Sequence, residues 1–320
     1  MTKVRVRRYD PDRGGKPYFQ SYEMDTPKGR TVLDVLREIH HHEDATLSFR
    51  CSCNSAICGS CGMRINGQAR LACNTQASAM VEEFGELTIE PLGNLKPVKD
   101  LVVDMGPFWG SVMAVRPFLQ HKGKEPAGLY PVTKAQMDFT KIARDCIFCG
   151  SCLSDCTSRE ANPAFLGPAA LAKAFKFAGD PRDDTTKDRL LNYSKENGIW
   201  DCDTCLYCNE VCPMGVKPMD AILHMREMAI GAGLVNTQGA KHALAFHDTV
   251  MEWGKVNEAV TAKNSLGIGG LATRNTVGIL ARGAMTGKRP AILKEKLAGM
   301  AAVHRLRRSV EGEKRRRSRG

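Results

Sequence analysis

The sequence predicts an α+β fold in which a β-grasp unit at residues 1–105 precedes an all-α unit at residues 106–235. A helical and basic C-terminal extension at residues 236–320 follows them. Three observations support this order. Alternating apolar and charged residues mark the first hundred positions, helix start and stop signals dominate after about residue 104, and the cysteine spacing changes type between the two regions.

The first hundred residues contain the signals of strands around one helix. Residues 3–9 and 18–24 are the first candidate strands, and residues 86–90 are the last before prolines end the unit. Thr31 with Asp34 three positions later is a capping box, which predicts the start of a helix. The dipeptide at residues 66–67, Asn-Gly, predicts a hairpin. Strands surrounding a single helix are the basis of the β-grasp prediction.

Helical signals take over in the second part of the chain. Pro168 suits the first turn of a helix over residues 169–177, and Pro218 opens another that runs to about residue 231. In the extension, residues 245–256 predict a helix and the glycine-rich stretch 267–270 predicts a break.

Bulk properties exclude several classes of protein. No apolar run is long enough for a transmembrane helix, and the first residues lack the apolar core of a signal peptide. A cytoplasmic protein is therefore expected, and because thiols stay reduced there, thirteen cysteines are not expected to form a disulfide framework.

The net charge of +11 is concentrated at the C-terminus, where residues 305–319 contain eight basic and two acidic residues. A solvated tail and a contact with an anionic membrane or an acidic partner both fit this composition. Nucleic acid is not expected as a partner, because aromatic residues are not interleaved with these charges.

Twelve of the cysteines fall into three runs with the spacing of iron–sulfur ligands. The first run has the plant-type pattern of a [2Fe–2S] cluster and comprises Cys53, Cys58, Cys61 and Cys73. The other two have the bacterial [4Fe–4S] pattern and comprise Cys146, Cys149, Cys152 and Cys156, then Cys202, Cys205, Cys208 and Cys212. Gly59 and Gly62 are expected to accept positive φ and to let backbone N–H groups approach the sulfurs.

In paired bacterial runs the fourth cysteine binds the other cluster. This rule predicts one [4Fe–4S] set of Cys146, Cys149, Cys152 and Cys212, and a third set of Cys156, Cys202, Cys205 and Cys208. Structural zinc is the alternative, but zinc sites use separated cysteine pairs or histidines, which these runs lack. Cys51, the remaining thiol, is expected to be a bystander.

Several segments resemble one family. They are the stretch from residue 47 through Cys53, Cys58 and Cys61 to Cys73, residues 100–104, the run at 146–156, residues 162–169 and residues 212–215. In these segments the chain resembles the iron–sulfur subunit of succinate dehydrogenases and fumarate reductases, over about residues 1–235. The resemblance implies a flavoprotein partner that carries FAD, a membrane-anchor subunit that is transmembrane or peripheral and cysteine-rich, and a nearby quinone. It also implies a peripheral position on the cytoplasmic side of the cell membrane.

The chain departs from the family pattern in three ways. Most members have an aliphatic residue where Cys205 stands and carry a [3Fe–4S] cluster, so Cys205 favours a third [4Fe–4S] cluster of lower potential. Residues 159–161 replace the tryptophan of ubiquinone-reducing members, and Asp203 replaces a frequent histidine. About 85 residues extend past the usual end and weakly resemble branches with a peripheral, cysteine-rich third subunit.

These features favour an electron-relay subunit of a succinate:quinone oxidoreductase. Dicarboxylate chemistry would then lie on the partner flavoprotein, and this chain would carry no catalytic acid or base. The alternative is the relay subunit of a fumarate reductase or of a heterodisulfide-reductase-like, thiol-linked complex. A cluster-containing nucleic-acid sensor is a third class, suggested only by the basic tail.

Overall fold

The computed structural model describes residues 1–123, 128–271, 274–287 and 296–317, and these divide into two compact units. The first unit comprises residues 1–232 and includes all thirteen cysteines. The second comprises residues 233–320. The α+β class predicted from the sequence is confirmed.

A five-stranded mixed sheet forms the N-terminal part of the first unit. Its strands are β1 (Thr2–Arg8), β2 (Tyr18–Met24), β3 (Gly62–Ile65), β4 (Gln68–Leu71) and β5 (Leu87–Glu90). The order across the sheet is β2-β1-β5-β3-β4, with β1 parallel to β5 and the other neighbours antiparallel. A separate ribbon pairs β6 (Pro97–Lys99) with β7 (Val102–Val103).

Helix α1 (Val32–Glu38) packs on this sheet and makes the β-grasp. The predicted capping box is present, since Thr31 and Asp34 each accept a hydrogen bond from the other's backbone N–H. Apolar side chains of α1 and of the strands form one buried core, which includes Val4, Val6, Leu33, Leu36, Ile65 and Ile89. The predicted hairpin turn is also present, because φ is 47° at Asn66 and 82° at Gly67, as a type I′ turn requires. Helix α2 (Ala77–Phe84) connects β4 to β5.

The rest of the first unit is helical. Its helices are α3 (Gly106–Ala114), α4 (Lys134–Thr140), α5 (Ser151–Ser154), α6 (Thr157–Ala161), α7 (Pro168–Ala178), α8 (Thr186–Tyr193), α9 (Tyr207–Glu210) and α10 (Pro218–Gly231). Nine of the eleven residues of α7 are buried, so α7 is the central helix of this part. Pro168 and Pro218 stand at the first turns of α7 and α10, as the sequence predicts.

Two buried arginines are each paired with carboxylates in the first unit. Arg8 on β1 donates hydrogen bonds to Gln20, Tyr22, Asp44, Thr46 and Asp100. Arg189 on α8 is fully buried and lies 2.7 Å from Asp183. Buried charges are expected to be paired in this way, because an uncompensated charge in the interior is costly.

The described residues of the second unit form four helices. They are α11 (Gln238–Trp253), α12 (Glu258–Leu271), α13 (Arg274–Met285) and α14 (Met300–Arg317). The helix predicted at 245–256 begins earlier, because Thr237 caps it, and ends earlier, because Gly254 adopts φ 77°. The predicted glycine break is a kink at Gly267 (φ 69°), after which the helix continues to Leu271.

The basic C-terminal residues are helical as far as Arg317, and residues 318–320 of the predicted basic tail lie outside the described residues. Within the described ranges, no helix combines the length and the apolar character that a bilayer span needs.

Candidate metal centres

The first centre comprises Cys53, Cys58, Cys61 and Cys73. The loop that precedes β3 contains the first three thiols, and the β3–β4 hairpin returns Cys73 to it, so the N–H of Ala72 donates to the Cys61 carbonyl at 3.1 Å. The structure therefore brings the four predicted ligands of the first run together.

Backbone N–H groups surround the sulfurs of the first centre. Ser55, Ile57 and Cys58 direct their N–H groups at the Cys53 sulfur at 3.3–3.4 Å, and Ala56 directs its N–H at the Cys73 sulfur at 3.3 Å. Such donors stabilise thiolate charge and help to set the reduction potential of a bound cluster. The loop adopts positive φ at Asn54 (58°), Ala56 (56°) and Gly59 (73°), and in this conformation its backbone N–H groups point toward the sulfurs.

The thiols of the first centre differ in their electrostatic environment. Hydrogen bonds from the backbone of Cys53 and from Ser60 lower the pKa of the exposed Cys58 to about 6. Burial raises the pKa of Cys61 to about 12. Iron binding must displace a proton from Cys61, whereas Cys58 is poised to bind as a thiolate.

The two bacterial-type runs adopt the same local conformation. In each, the residue before the second cysteine and the residue after it have positive φ, at Phe148 (57°) and Gly150 (83°) in one run and at Thr204 (58°) and Leu206 (75°) in the other. A single helical turn then carries the third cysteine, in α5 and in α9. Leucine rarely adopts this backbone region, so the third-centre loop is held there by its surroundings.

The middle centre comprises Cys146, Cys149, Cys152 and Cys212. These four thiols line one cavity, whose other walls include Phe148, Ala169, Ala172 and Val216. The second run alone does not complete this set, since its fourth cysteine, Cys156, lies in another group and Cys212 of the third run takes its place.

The third centre comprises Cys156, Cys202, Cys205 and Cys208. Burial and the neighbouring thiols raise the pKa of Cys208 to about 12, and Cys202, Cys156 and Cys205 all lie near enough to contribute. Cys156 interacts electrostatically with Cys202 and Cys205 in the same way, and burial raises its pKa to about 11.

Two side chains fix the loop of the third centre. Asp203 accepts hydrogen bonds from Thr157 at 2.6 Å and Ser158 at 2.8 Å, which ties the start of the third run to the end of the second. Arg226 on α10 donates to the carbonyls of Ile199 at 2.8 Å and Cys202 at 2.6 Å. Asp203 and Arg226 together hold the loop of the third centre in place.

The donor chemistry of the three centres suits iron–sulfur clusters. Each centre offers four thiols in a mainly apolar or N–H-lined pocket, and thiolate is the ligand that such clusters use. No group of three or more His, Cys, Asp or Glu side chains in the described part of the chain is placed around a single metal ion. A cage of several irons holds its thiolates farther apart than one ion does, so these two observations are compatible.

Two glycines let the first centre approach the middle one. A Cβ at Gly59 would lie 2.9 Å from the Cys149 Cβ and 3.0 Å from the Ile147 carbonyl oxygen, and a Cβ at Gly62 would lie 2.8 Å from the Cys149 carbonyl oxygen. Positive φ is present at Gly59, as predicted, but not at Gly62. The prediction of positive φ is therefore wrong at Gly62. Glycine is required there for another reason, because there is no space for a Cβ beside Cys149.

Further polar contacts join the β-grasp part to the middle centre. The Asn94 side chain donates to the carbonyls of Leu153, Ser154 and Cys156 at 2.9–3.2 Å, and Asp155 accepts from the Ala69 N–H at 2.8 Å. The sequence alone does not mark Asn94 or Asp155 as residues of a site. Their partners are about 60 to 86 positions away, so no local signal could have found them.

Cys51 lies outside all three sets. Its thiol is exposed and 3.8 Å from the Arg37 guanidinium. That Cys51 is a bystander stays a prediction.

Comparisons with known proteins agree with the arrangement of the centres. A family described as a 2Fe-2S iron-sulfur cluster binding domain matches residues 3–110, and one described as a 4Fe-4S dicluster domain matches residues 142–216.

Curated relatives match over most of their length. The fumarate reductase iron-sulfur subunit of Mycobacterium tuberculosis is 39% identical over 221 residues, which is 68% of this chain and 89% of the relative. The 8-methylmenaquinol:fumarate reductase iron-sulfur subunit of Wolinella succinogenes is 35% identical over 282 residues, 85% of each chain. The second match is longer than the first unit and so includes part of the extension.

A solved structure is also similar. A chain of the Mycobacterium smegmatis Sdh1 complex in the apo form has a TM-score of 0.62 and 28% identity, and the match covers 72% of this chain and 95% of that one.

Proposed function

Because the chain belongs to the family of iron–sulfur subunits of fumarate reductases and succinate dehydrogenases, we propose that it relays electrons between a partner flavoprotein and a membrane quinone. The observation that carries this proposal is the contiguity of the three centres. The first centre approaches the middle one at Gly59, and exchanged fourth cysteines interleave the middle and third centres.

The same geometry supports the proposed ligand sets. The first centre is assigned to [2Fe–2S], the middle centre to [4Fe–4S] and the third centre, with Cys205 as its fourth ligand, to a second [4Fe–4S]. The matched backbone of the two bacterial-type loops supports the third assignment, since a loop that places three thiols around one cubane would do so at the other.

When bound, the clusters supply one-electron chemistry, and the chain itself does no acid–base chemistry. Its residues hold the thiolates, exclude water with apolar walls such as those of the middle centre, and tune charge through N–H groups. Asn94 and Asp155 fix the distance between the first two centres.

The partners are proposed from the exposed residues of the first centre and from the family to which the chain belongs. Cys58 is exposed and Ile57 has 67% of its surface exposed, so the first-centre loop offers an apolar contact where an FAD-carrying flavoprotein would dock. The third centre would then face the quinone and the membrane-anchor subunit on the cytoplasmic side. Both curated relatives are subunits of fumarate reductases, so fumarate reduction is the second candidate for the direction of electron flow.

The test compares Cys205→Ala with Cys51→Ala in anaerobically purified protein. Wild type should contain about ten irons per chain (about two, four and four). Cys205→Ala should lose about one iron and gain the oxidised-state EPR signal of a three-iron cluster. Cys51→Ala should retain wild-type iron and spectra. A three-iron signal in wild type, or no change in Cys205→Ala, would contradict the assignment of Cys205.

A further inference from the structure

Lys173, near the middle of α7, is a buried cation. Only 7% of its surface is exposed, and α7 is the central helix of its part of the fold. Lysine is almost never buried to this degree unless a partner compensates its charge. Among the described residues, no Asp or Glu side chain forms an ion pair with Lys173.

Lys173 differs in this respect from two other buried cations of the first unit. Arg8 is paired with Asp44 and Asp100, and Arg189 with Asp183. Each of those arginines is neutralised locally. Lys173 therefore needs another source of negative charge close by.

The loop of the middle centre lies beside Lys173. The Lys173 Nζ lies 4.6 Å from the centroid of the Phe148 ring, and Phe148 lies between Cys146 and Cys149 in the loop of the centre. Ala169 and Ala172, on the same helix, line the cavity with the four thiols. Lys173 itself is not part of the cavity wall, whereas the Phe148 ring that it contacts is.

Neighbouring charges agree with this assignment. Burial lowers the pKa of Lys173, and the Cys146 thiolate, followed more weakly by Asp145, acts in the opposite direction. Asp145 is itself 3.5 Å from the Arg144 guanidinium and partly exposed, so it is a poor counter-ion for Lys173. The four thiolates of a loaded middle centre place several negative charges beside this lysine.

We propose that Lys173 is the counter-charge of the middle cluster and raises its reduction potential. The inference rests on the proposed function, since it requires a cluster in the middle centre. Adding an electron makes the centre more negative, and a fixed positive charge in a low-dielectric interior favours the reduced form. Removing a charge within about 10 Å, at an effective dielectric constant of about 20, changes the equilibrium for reduction more than tenfold.

The experiment is a redox titration of the assembled protein, followed by the EPR signal of the reduced middle cluster. Lys173→Gln should disfavour reduction at least tenfold, which lowers the midpoint potential by about 59 mV or more. Lys173→Arg keeps the charge and should stay within about threefold of wild type (an expectation from charge retention). The control is Lys176→Gln, because Lys176 lies one turn further along α7 and is partly exposed.

Several outcomes decide the proposal. An unchanged potential in Lys173→Gln would overturn it, and so would an equal shift in Lys173→Arg, which would indicate packing rather than charge. If Lys173→Gln fails to hold the cluster, Lys173→Met provides the neutral side chain for the same measurement. Assembly in Lys173→Arg but in neither neutral variant supports the counter-charge role, and failure of all three overturns it. A wild-type protein without iron would instead contradict the proposed function.

Discussion

The close approach of the first two centres predicts an unequal cost for two similar substitutions. Gly59→Ala and Gly67→Ala both place a Cβ on a residue with positive φ, 73° and 82°. At Gly67 nothing lies within 4 Å of the new Cβ, whereas at Gly59 it meets the backbone and Cβ of Cys149 at 2.9–3.0 Å. Both variants carry the conformational cost of about 1–2 kcal/mol. Only Gly59→Ala adds an overpacking cost of about 1–3 kcal/mol.

Amide hydrogen exchange of the anaerobic, cluster-loaded protein measures this difference. Since Cys149 must move away from the new methyl group, Gly59→Ala should speed exchange in residues 146–156 by about 5- to 150-fold relative to Gly67→Ala. Gly67→Ala should affect the β3–β4 hairpin alone. Equal exchange in residues 146–156 of the two variants would refute the inference that Gly59 is required for contact between the centres.

The remaining predictions concern charge and metal. Arg8→Met should destabilise β1 by about 3–5 kcal/mol, because it leaves buried carboxylates unpaired. Arg7→Met, the adjacent surface control, should cost about 0–1 kcal/mol, and exchange of β1 amides distinguishes the two. Burial raises the pKa of Asp44, but hydrogen bonds from Thr46 and Arg8 outweigh it and hold that pKa well below 3.8. The stabilisation is therefore present above pH 3.8 and lost as pH falls further. Acid unfolding curves should show a weaker dependence in Arg8→Met, which keeps the hydrogen bonds from Thr46, than in wild type. Anaerobic chelation of iron should speed exchange in residues 146–156 and 202–212 while the strands keep their protection; unchanged exchange would mean that these loops do not depend on iron.

Local signals were sufficient for much of the β-grasp part. The capping box at Thr31 and the Asn66-Gly67 turn specify their own backbone conformations, so a single stretch of sequence predicts each of them. The strand at residues 18–24 was predicted with the bounds that the structure has. Cysteine spacing is equally local, and it correctly separated the two types of loop.

Features that depend on distant parts of the chain could not be predicted in this way. Gly62 was interpreted from its own backbone freedom, but its role comes from Cys149, 87 positions later. Asn94 contacts carbonyls beyond residue 150, and Lys173 is identified by its burial without a carboxylate partner among the described residues. Such roles arise from packing, which the order of residues in one segment does not encode.

Iron analysis combined with EPR of anaerobically purified protein, in oxidised and fully reduced states, is the most direct test of the three assigned clusters. The assignment of three clusters predicts about ten irons per chain, reduced-state signals from one [2Fe–2S] and two [4Fe–4S] clusters, and no three-iron signal before reduction. A colourless protein that contains zinc instead of iron would contradict it.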